Sequence, residues 1–185
     1  ETANPQYVAS DFLSQAEHGV DSQSILVTTD ATLAEKVLVA IEEQKELLPR
    51  KDIVEQSLQN SLVFVFDNIT DAIDFTNEYA PEHLIISCKD YNAIGEKIKN
   101  AGSVFLGPYT PESAGDYASG TNHTLPTSGY AKGYNGVNLE SFNRKITYQE
   151  ITQEGLKNLG ATIEIMAANE SLDAHKNAVS IRLKD

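Results

Sequence analysis

Two reactive side chains stand next to each other in the segment EYAPEHLII, residues 78 to 86: these are Glu82 and His83. Neighbouring side chains on a regular strand point to opposite faces, so this pair can act on one ligand only where the backbone is irregular. Pro81 favours such an irregularity, because it has no N–H to donate and disfavours a helical conformation at Ala80. The pattern predicts that a helix ends before Pro81 and indicates a shared task for the pair.

Further residues of the chain are candidates for binding a metal ion. Gln15 and His18 are three apart in SQAEHG, so they share one face of a helix near its end. Asp116 lies among small residues in ESAGDYASG, which allow a ligand to approach closely, and His123 and His175 follow in SGTNH and LDAHK. Imidazole and carboxylate ligands suit zinc, and a site built from His18, Asp116 and His175 is one interpretation. A single histidine is more often structural, so this spacing alone leaves both interpretations open.

Composition excludes several classes of protein. The chain has 185 residues, 41% of them hydrophobic, which suffices for one core plus an appendage. A net charge of −13 disfavours nucleic acid as a partner, because phosphates would be repelled. No stretch approaches the ~20 apolar residues of a membrane span, so no membrane partner is expected. With Cys88 as its single cysteine, the chain cannot form an intrachain disulfide, which fits a cytoplasmic location.

The elements that must position these residues alternate along the chain. Asn4 and Pro5 predict the start of a first helix, and Gly19 predicts its end. Apolar runs predict four strands, at 24–29, 61–66, 83–87 and 103–107. Helical patterns lie between them, at 31–47, after Pro49, at 71–80 and at 90–102. Such alternation is typical of an α/β fold with a largely parallel sheet.

The last part of the chain departs from this alternation. Residues 107–147 are rich in Gly, Pro, Ser, Thr and Tyr, and they follow the carboxyl end of a strand, where open α/β sheets bind ligands. We therefore expect a functional loop there. Helices are predicted near 148–168 and 171–184. Because the only methionine is Met166, we interpret the chain as a piece of a longer polypeptide, with trimming of a short leader as the alternative.

Four segments, in this order, closely resemble the C-terminal part of the histidinol dehydrogenases: SQAEHG (14–19), APEHL (80–84), AGSVFLGPYTPESAGDYASGTNHTLPT (101–127) and LDAHKNAV (172–179). The similarity runs from about Val8 to the end of the chain. Enzymes of this family oxidise L-histidinol through the aldehyde to L-histidine with two NAD⁺, in the last steps of histidine biosynthesis. The resemblance therefore implies an oxidoreductase with zinc and NAD as cofactors, built on an incomplete Rossmann-like domain followed by a C-terminal helical tail.

The resemblance also implies a role for each matching residue. Four zinc ligands are implied: Gln15, His18, Asp116 and His175. Seven residues are implied to bind L-histidinol: Gln15, His18, His83, Asp116, His123, Glu170 and His175. In the family, zinc anchors the imidazole and amino nitrogens of the substrate and fixes its orientation.

Glu82 and His83 are implied to be the catalytic acid/base pair, at the entrance of a strand and directed at one substrate carbon. This assignment agrees with the chemistry that the two oxidations require. An alcohol needs a base for its hydroxyl proton, which suits His83, and an aldehyde needs an activated water, which suits Glu82.

The extent of the resemblance sets a further expectation. Family enzymes are homodimers in which the C-terminal helix of one subunit completes the partner's site, so Glu170 and His175 would act across the interface. We expect an α/β domain over 1–145 and a helical segment over 146–185. Family chains are more than twice this long, and their N-terminal part carries the NAD contacts, one further substrate-contacting serine and half of the main sheet. The 185-residue chain is therefore expected to be inactive alone.

Two other functions remain as hypotheses at this point. The first is a stand-alone module that binds zinc or a small molecule without catalysis, since the chain lacks a cofactor segment. The second is metal-assisted hydrolysis by Glu82 and His83, which is physically possible but favoured by no feature of the sequence.

Overall fold

The computed structural model describes residues 2–184, and these form two compact units. The first unit extends to Phe142 and contains all the strands of the described residues, whereas the second begins at Asn143 and is helical. The strands of the first unit are β1 (Ile25–Thr28), β2 (Leu62–Val65), β3 (His83–Ile86) and β4 (Ser103–Leu106). Its α-helices are α1 (Pro5–Ala16), α2 (Ala31–Lys45), α3 (Lys51–Leu58), α4 (Ile69–Tyr79), α5 (Tyr91–Gly95) and α6 (Glu112–Tyr117). The predicted α/β class is confirmed.

The four strands form two parallel pairs. β1 pairs with β2, with Ile25 opposite Leu62, and β3 pairs with β4, with His83 opposite Ser103. Helices connect the strands within each pair, as parallel pairing requires. Within the described part of the chain no ladder of hydrogen bonds joins the two pairs, so the parallel sheet is present as two separate two-stranded pieces.

The main core lies between α1, α2, α3 and β1. Helix α1 begins as predicted, with Asn4 Oδ1 accepting the N–H of Gln6 at 2.9 Å and Pro5 in the first turn. Eleven buried residues make up the core: Ala9, Phe12, Leu13, Ala16, Leu26, Leu33, Ala34, Val37, Ala40, Ile41 and Val54. This packing holds α1, and with it the segment that follows, against the rest of the first unit.

Two predicted helix ends are wrong. Helix α1 ends at Ala16, with Glu17 as its C-cap, because the buried Ala16 is the last residue of the face that packs on the core. Gly19 lies beyond the helix and begins a turn, in which the Ser22 N–H donates to the Gly19 carbonyl at 3.0 Å. The helix predicted over 90–102 is limited to α5.

Hydrogen bonds to α4 explain why α5 is short. The N–H groups of Lys99 and Asn100 donate to Asn77 Oδ1 at 2.6 and 3.3 Å, and the Asn100 amide donates to the Asn77 carbonyl at 2.9 Å. A continued helix would pair the two N–H groups within itself. The tertiary contact therefore replaces the last turns of the helix.

Residues 107–147 contain one short α-helix, α6, and two 3₁₀ helices, Tyr130–Lys132 and Leu139–Phe142. Outside these short helices the segment is irregular, as its composition predicted.

The second unit consists of α7 (Gln153–Asn169) and α8 (Asp173–Ser180), which pack against each other. Thr152 caps α7 by accepting the N–H of Gly155 at 3.1 Å. Gly160 lets the two segments approach closely, since a Cβ there would lie 2.6 Å from a methyl group of Leu183. The chain reverses at Ser171, whose φ is 59°. None of the helices in residues 2–184 combines the length and the apolar composition needed to cross a bilayer.

Candidate active site

The backbone before β3 has the irregularity that Pro81 predicts. Helix α4 ends at Tyr79, and Ala80 adopts a left-handed conformation with φ 55° and ψ 66°. Two hydrogen bonds then fix the next residues against the start of β4: Gly102 N–H donates to the Pro81 carbonyl at 2.9 Å, and Ser103 N–H donates to the Glu82 carbonyl at 2.8 Å. The adjacent Glu82 and His83 side chains are thereby held at the entrance of a strand.

His18 comes from the segment that follows α1. Its N–H donates to the Gln15 carbonyl at 3.3 Å, which continues the turn beyond the helix. Ser24 Oγ donates to the Phe12 carbonyl at 2.9 Å, a buried hydrogen bond that ties the last turns of α1 to the residue before β1. Gln15 is half-buried, and the His18 side chain is 53% exposed. This end of α1 therefore presents an imidazole that solvent can still reach.

Helix α6 supplies two carboxylates. Glu112 and Asp116 are four residues apart, so they lie one turn apart on the same side of the helix. Gly115 packs against the Phe105 ring, and a Cβ there would lie 2.6 Å from a ring carbon. Thr121 Oγ also donates to the Gly115 carbonyl at 3.3 Å. Close packing on β4 thus sets the orientation of α6.

These three segments converge on one cluster. Nδ1 of His83 lies 3.6 Å from Oε1 of Glu112, and the other ring nitrogen, Nε2, lies 3.9 Å from Oδ1 of Asp116. Nε2 of His18 approaches the same Glu112 oxygen to 3.8 Å. The side chains of His83, Glu112 and Asp116 are 14%, 4% and 16% exposed. The chain folds so that one largely buried imidazole lies between two carboxylates.

The cluster contains a set of atoms that could hold a metal ion. His18, Glu112 and Asp116 each offer one ligand atom, and these atoms lie within 4.8 Å of one another. Glu112 Oε1 and His83 Nε2 are buried without a hydrogen-bond partner among the described residues. A buried carboxylate oxygen without a partner is costly, and a bound cation would offset that cost.

Burial shifts the acid–base equilibria of the cluster. It raises the pKa of Glu82, against the opposing effect of His83, and it lowers the pKa of His83, against the opposing effects of Glu82 and Asp116. Burial raises the pKa of Glu112 as well. It also raises the pKa of Asp11 to about 6, with the charge of Glu112 adding to the effect. Carboxyls that hold protons more tightly and an imidazole that releases its proton more readily are typical of acid/base sites.

The structure brings only some of the sequence-predicted residues together. His18, Glu82, His83 and Asp116 belong to the same part of the first unit. The His123 side chain is exposed on the loop after α6. Glu170 and His175 are exposed residues of the second unit.

Glu112 is the residue that the sequence analysis did not identify. Its signal was present in ESAGDYASG, because a carboxylate four residues before Asp116 shares its face of a helix. Only the structure shows that this face is buried against His83.

A separate open groove of about 760 Å³ lies beside β4 in the first unit. It is lined at one end by Ala101, Gly102 and Ser103, and otherwise by residues between Gly120 and Phe142. None of the cluster residues lines it. The groove reaches the start of β4, where Ser103 N–H donates to the Glu82 carbonyl at 2.8 Å.

Comparison with known proteins shows extensive similarity. The family model for histidinol dehydrogenase matches residues 1–183. The chain is 60% identical over 185 residues to a histidinol dehydrogenase of Bacteroides fragilis (strain YCH46), covering 100% of this chain and 43% of that protein. It is 53% identical over 183 residues to a histidinol dehydrogenase of Haemophilus influenzae (strain 86-028NP), covering 99% and 43%.

A solved structure gives the same result. The crystal structure of histidinol dehydrogenase from Elizabethkingia anophelis matches with a TM-score of 0.95 and 56% identity, over 99% of this chain and 42% of that chain. The chain therefore spans less than half the length of the relatives that it matches.

Proposed function

The chain belongs to the histidinol dehydrogenase family, and we propose that it is the C-terminal portion of an enzyme that oxidises L-histidinol through the aldehyde to L-histidine. Two NAD⁺ accept the hydrides, and the reactions are the last steps of histidine biosynthesis. The observation that carries this proposal is the position of Glu82 and His83. They lie at the entrance of β3, where His83 is between the carboxylates of Glu112 and Asp116.

The residues present fit a zinc ion. His18 and Asp116 offer a nitrogen and an oxygen within 4.8 Å of each other, and zinc accepts such ligands. In the proposed enzyme, Gln15, His18 and Asp116 of one subunit hold the ion together with His175 of the partner subunit. Zinc, when bound, holds the imidazole and amino nitrogens of histidinol and so orients the substrate.

His83 acts as the base in the first oxidation. Its Nε2 is buried and lacks a hydrogen-bond partner among the described residues, so this atom can accept the hydroxyl proton of histidinol. The lowered pKa of His83 keeps the imidazole neutral near pH 7, which is the form that accepts a proton. Loss of this proton from the oxygen, together with loss of a hydride from the carbon that bears it, would give the aldehyde; NAD⁺, when bound, would be the hydride acceptor.

Glu82 acts in the second oxidation. The aldehyde must take up water before a second hydride can leave, and a carboxylate beside the carbon can remove a proton from that water. Burial raises the pKa of Glu82 towards neutrality, which makes its carboxylate a better proton acceptor. The hydrate would then lose the one hydrogen on this carbon as a hydride and a proton from one hydroxyl group, which gives the carboxylic acid; NAD⁺, when bound, would again be the hydride acceptor.

The remaining parts of the proposal concern assembly. His123 and Glu170 complete the contacts to the substrate. Glu170 and His175 act across a homodimer: the segment 146–185 of one subunit completes the site in the 1–145 domain of its partner. The NAD site lies in the part of the family enzyme that has no counterpart in this chain, so the chain alone is inactive. The enzyme works in the cytoplasm.

The test is turnover by the full-length parent protein. We expect it to reduce NAD⁺ when histidinol is added, and Glu82→Gln and His83→Asn each to lower kcat by about 10²–10⁴-fold, the usual contribution of an acid or base. Glu96→Gln, at an exposed position after α5, is the matched control and should leave kcat unchanged. Wild-type turnover by both site variants would contradict the assignment of Glu82 and His83 as the acid/base pair. Absence of turnover in a folded, zinc-loaded wild type would refute the function itself.

A further inference from the structure

Among the residues that the structure describes, Glu112 is the one acidic or basic residue that is buried: the whole residue is 3% exposed. A glutamate is almost never buried to this extent unless it is paired. Neither the acid/base pair nor the four proposed zinc ligands include it. The fold therefore holds a buried carboxyl at the site without an assigned task.

The surroundings of Glu112 identify its partner. Ser14 Oγ donates to Oε2 at 3.4 Å, which leaves Oε1 directed at two imidazoles. His83 Nδ1 is the nearer, at 3.6 Å, and His18 Nε2 lies at 3.8 Å. The His83 side chain is 14% exposed and that of His18 is 53% exposed, so water screens the attraction to His83 much less.

The two ring nitrogens of His83 face different carboxylates. Nδ1 faces Glu112, and Nε2 faces Asp116, at 3.9 Å. In a neutral imidazole one nitrogen carries the proton and the other is an acceptor, and the neighbouring groups decide which. Glu112 is the carboxylate that faces Nδ1, so its position favours the proton on that nitrogen.

We propose that Glu112 is a positioning residue for His83: its carboxylate, 3.6 Å from Nδ1, orients the ring with the protonated nitrogen towards Glu112, so that Nε2 stays available to the substrate. The inference rests on the proposed function, in which His83 is the base. When Nε2 accepts the hydroxyl proton of histidinol, the imidazole becomes a cation beside a buried anion. Glu112 stabilises that cation by its position beside Nδ1, as the third member of a catalytic triad does.

The experiment compares Glu112→Gln, Glu112→Asp and wild type in the full-length parent, with kcat, KM and zinc content measured for each. Glu112→Gln keeps the size of the side chain and removes its charge. We expect kcat to fall by on the order of 10²-fold. Replacing the aspartate of a Ser-His-Asp triad costs about 10⁴-fold, and we expect less here because the 3.6 Å between Glu112 Oε1 and His83 Nδ1 is longer than a hydrogen bond. KM and zinc content should stay at wild-type values, because the proposed zinc ligands are Gln15, His18, Asp116 and the partner's His175, and the proposed substrate contacts do not include Glu112. Glu112→Asp retains the charge and should recover part of kcat.

Each other outcome overturns the inference. Loss of zinc from Glu112→Gln would make Glu112 a metal ligand, and an unchanged kcat would make it a structural residue only. Equal kcat in the Gln and Asp variants would also contradict a role for the charge. If Glu112→Gln does not fold, Ser14→Ala decides, because it leaves the carboxyl in place but removes the hydrogen bond to Oε2. We then expect a fall in kcat of about 2- to 10-fold, and no change would refute the proposal.

These outcomes are separable from failure of the proposed function. If wild type does not oxidise histidinol, the function is wrong. If wild type is active and the Glu112 variants behave like it, only the role of Glu112 is wrong.

Discussion

A Cβ atom on Gly102 would lie 2.5 Å from the carbonyl oxygen of Glu82. The same carbonyl accepts the N–H of Ser103 at 2.8 Å. The absence of a side chain at Gly102 is therefore what allows the start of β4 to approach the backbone of Glu82, and the backbone before β3 is held by this contact.

Replacing Gly102 with alanine tests this contact. The added methyl group must displace the backbone at Glu82, which is not the flexible end of a side chain. We expect the free energy of unfolding to fall by about 1–3 kcal/mol, as for other overpacked sites, and kcat of the parent to fall with it. Chemical denaturation and NADH formation measure the two effects. Gly133→Ala is the control, because no atom lies within 4 Å of a Cβ built there. Equal stability of both variants would show that the approach is not tight.

Asp116→Asn tests the proposed zinc site in the chain itself. The substitution keeps the size of the side chain but removes the charge that a cation needs. We expect zinc affinity, measured by calorimetric titration, to fall by more than about 100-fold. A loss of about 100-fold is the largest usually caused by removing a residue that only hydrogen-bonds to a metal ligand. The exposed Asp67→Asn is the matched control. Zinc binding that is equal in both variants would exclude Asp116 as a ligand.

The assembly of the site across a dimer can be tested by complementation. His83→Asn and His175→Ala should each inactivate the parent, yet a mixture of the two after subunit exchange should recover activity. If the second unit completes the partner's site, one of the two sites in each mixed dimer has both histidines. Random exchange should then restore about a quarter of wild-type kcat. If His175 served its own subunit, no mixed dimer would contain an intact site, and the mixture would stay inactive.

Asp11 makes the stability of the zinc-free chain depend on pH. Because burial raises its pKa from 3.8 to about 6, the folded chain binds more protons than the unfolded chain between these values. Its contribution to stability is therefore fully present below about pH 4 and is lost as the pH rises through about 6. Glu82 and Glu112, whose pKa values are also raised, act in the same direction.

Asp11→Asn should remove its part of this dependence. We expect the variant to be more stable than wild type by about 1 kcal/mol at pH 7.5, a value reduced for the partial exposure of the side chain, and equal to it near pH 4. Urea denaturation at both pH values measures the difference. The control is Asp74→Asn, at an exposed position of α4. A variant that is less stable than wild type at pH 7.5 would contradict the assigned cause.

The order of the elements could be predicted from the sequence because it depends on local patterns. The apolar run at 61–66 predicts β2, and Asn4 followed by Pro5 predicts the start of α1, because each of these patterns affects only residues close to it in the sequence. Both elements lie where the patterns indicated. The end of α4 is another such case, because Pro81 acts on its immediate neighbour.

Only the tertiary structure decided how these elements meet. Asn77 stops α5 through hydrogen bonds to Lys99 and Asn100, and no pattern within 90–102 contains that information. Glu112 became a candidate for the same reason: its burial depends on β3, α1 and α6 packing together, whereas its own segment shows only a carboxylate one turn before Asp116. Local sequence sets which residues share a face of a helix, but the burial of that face, and therefore the charge state and partners of its residues, is a property of the packed chain.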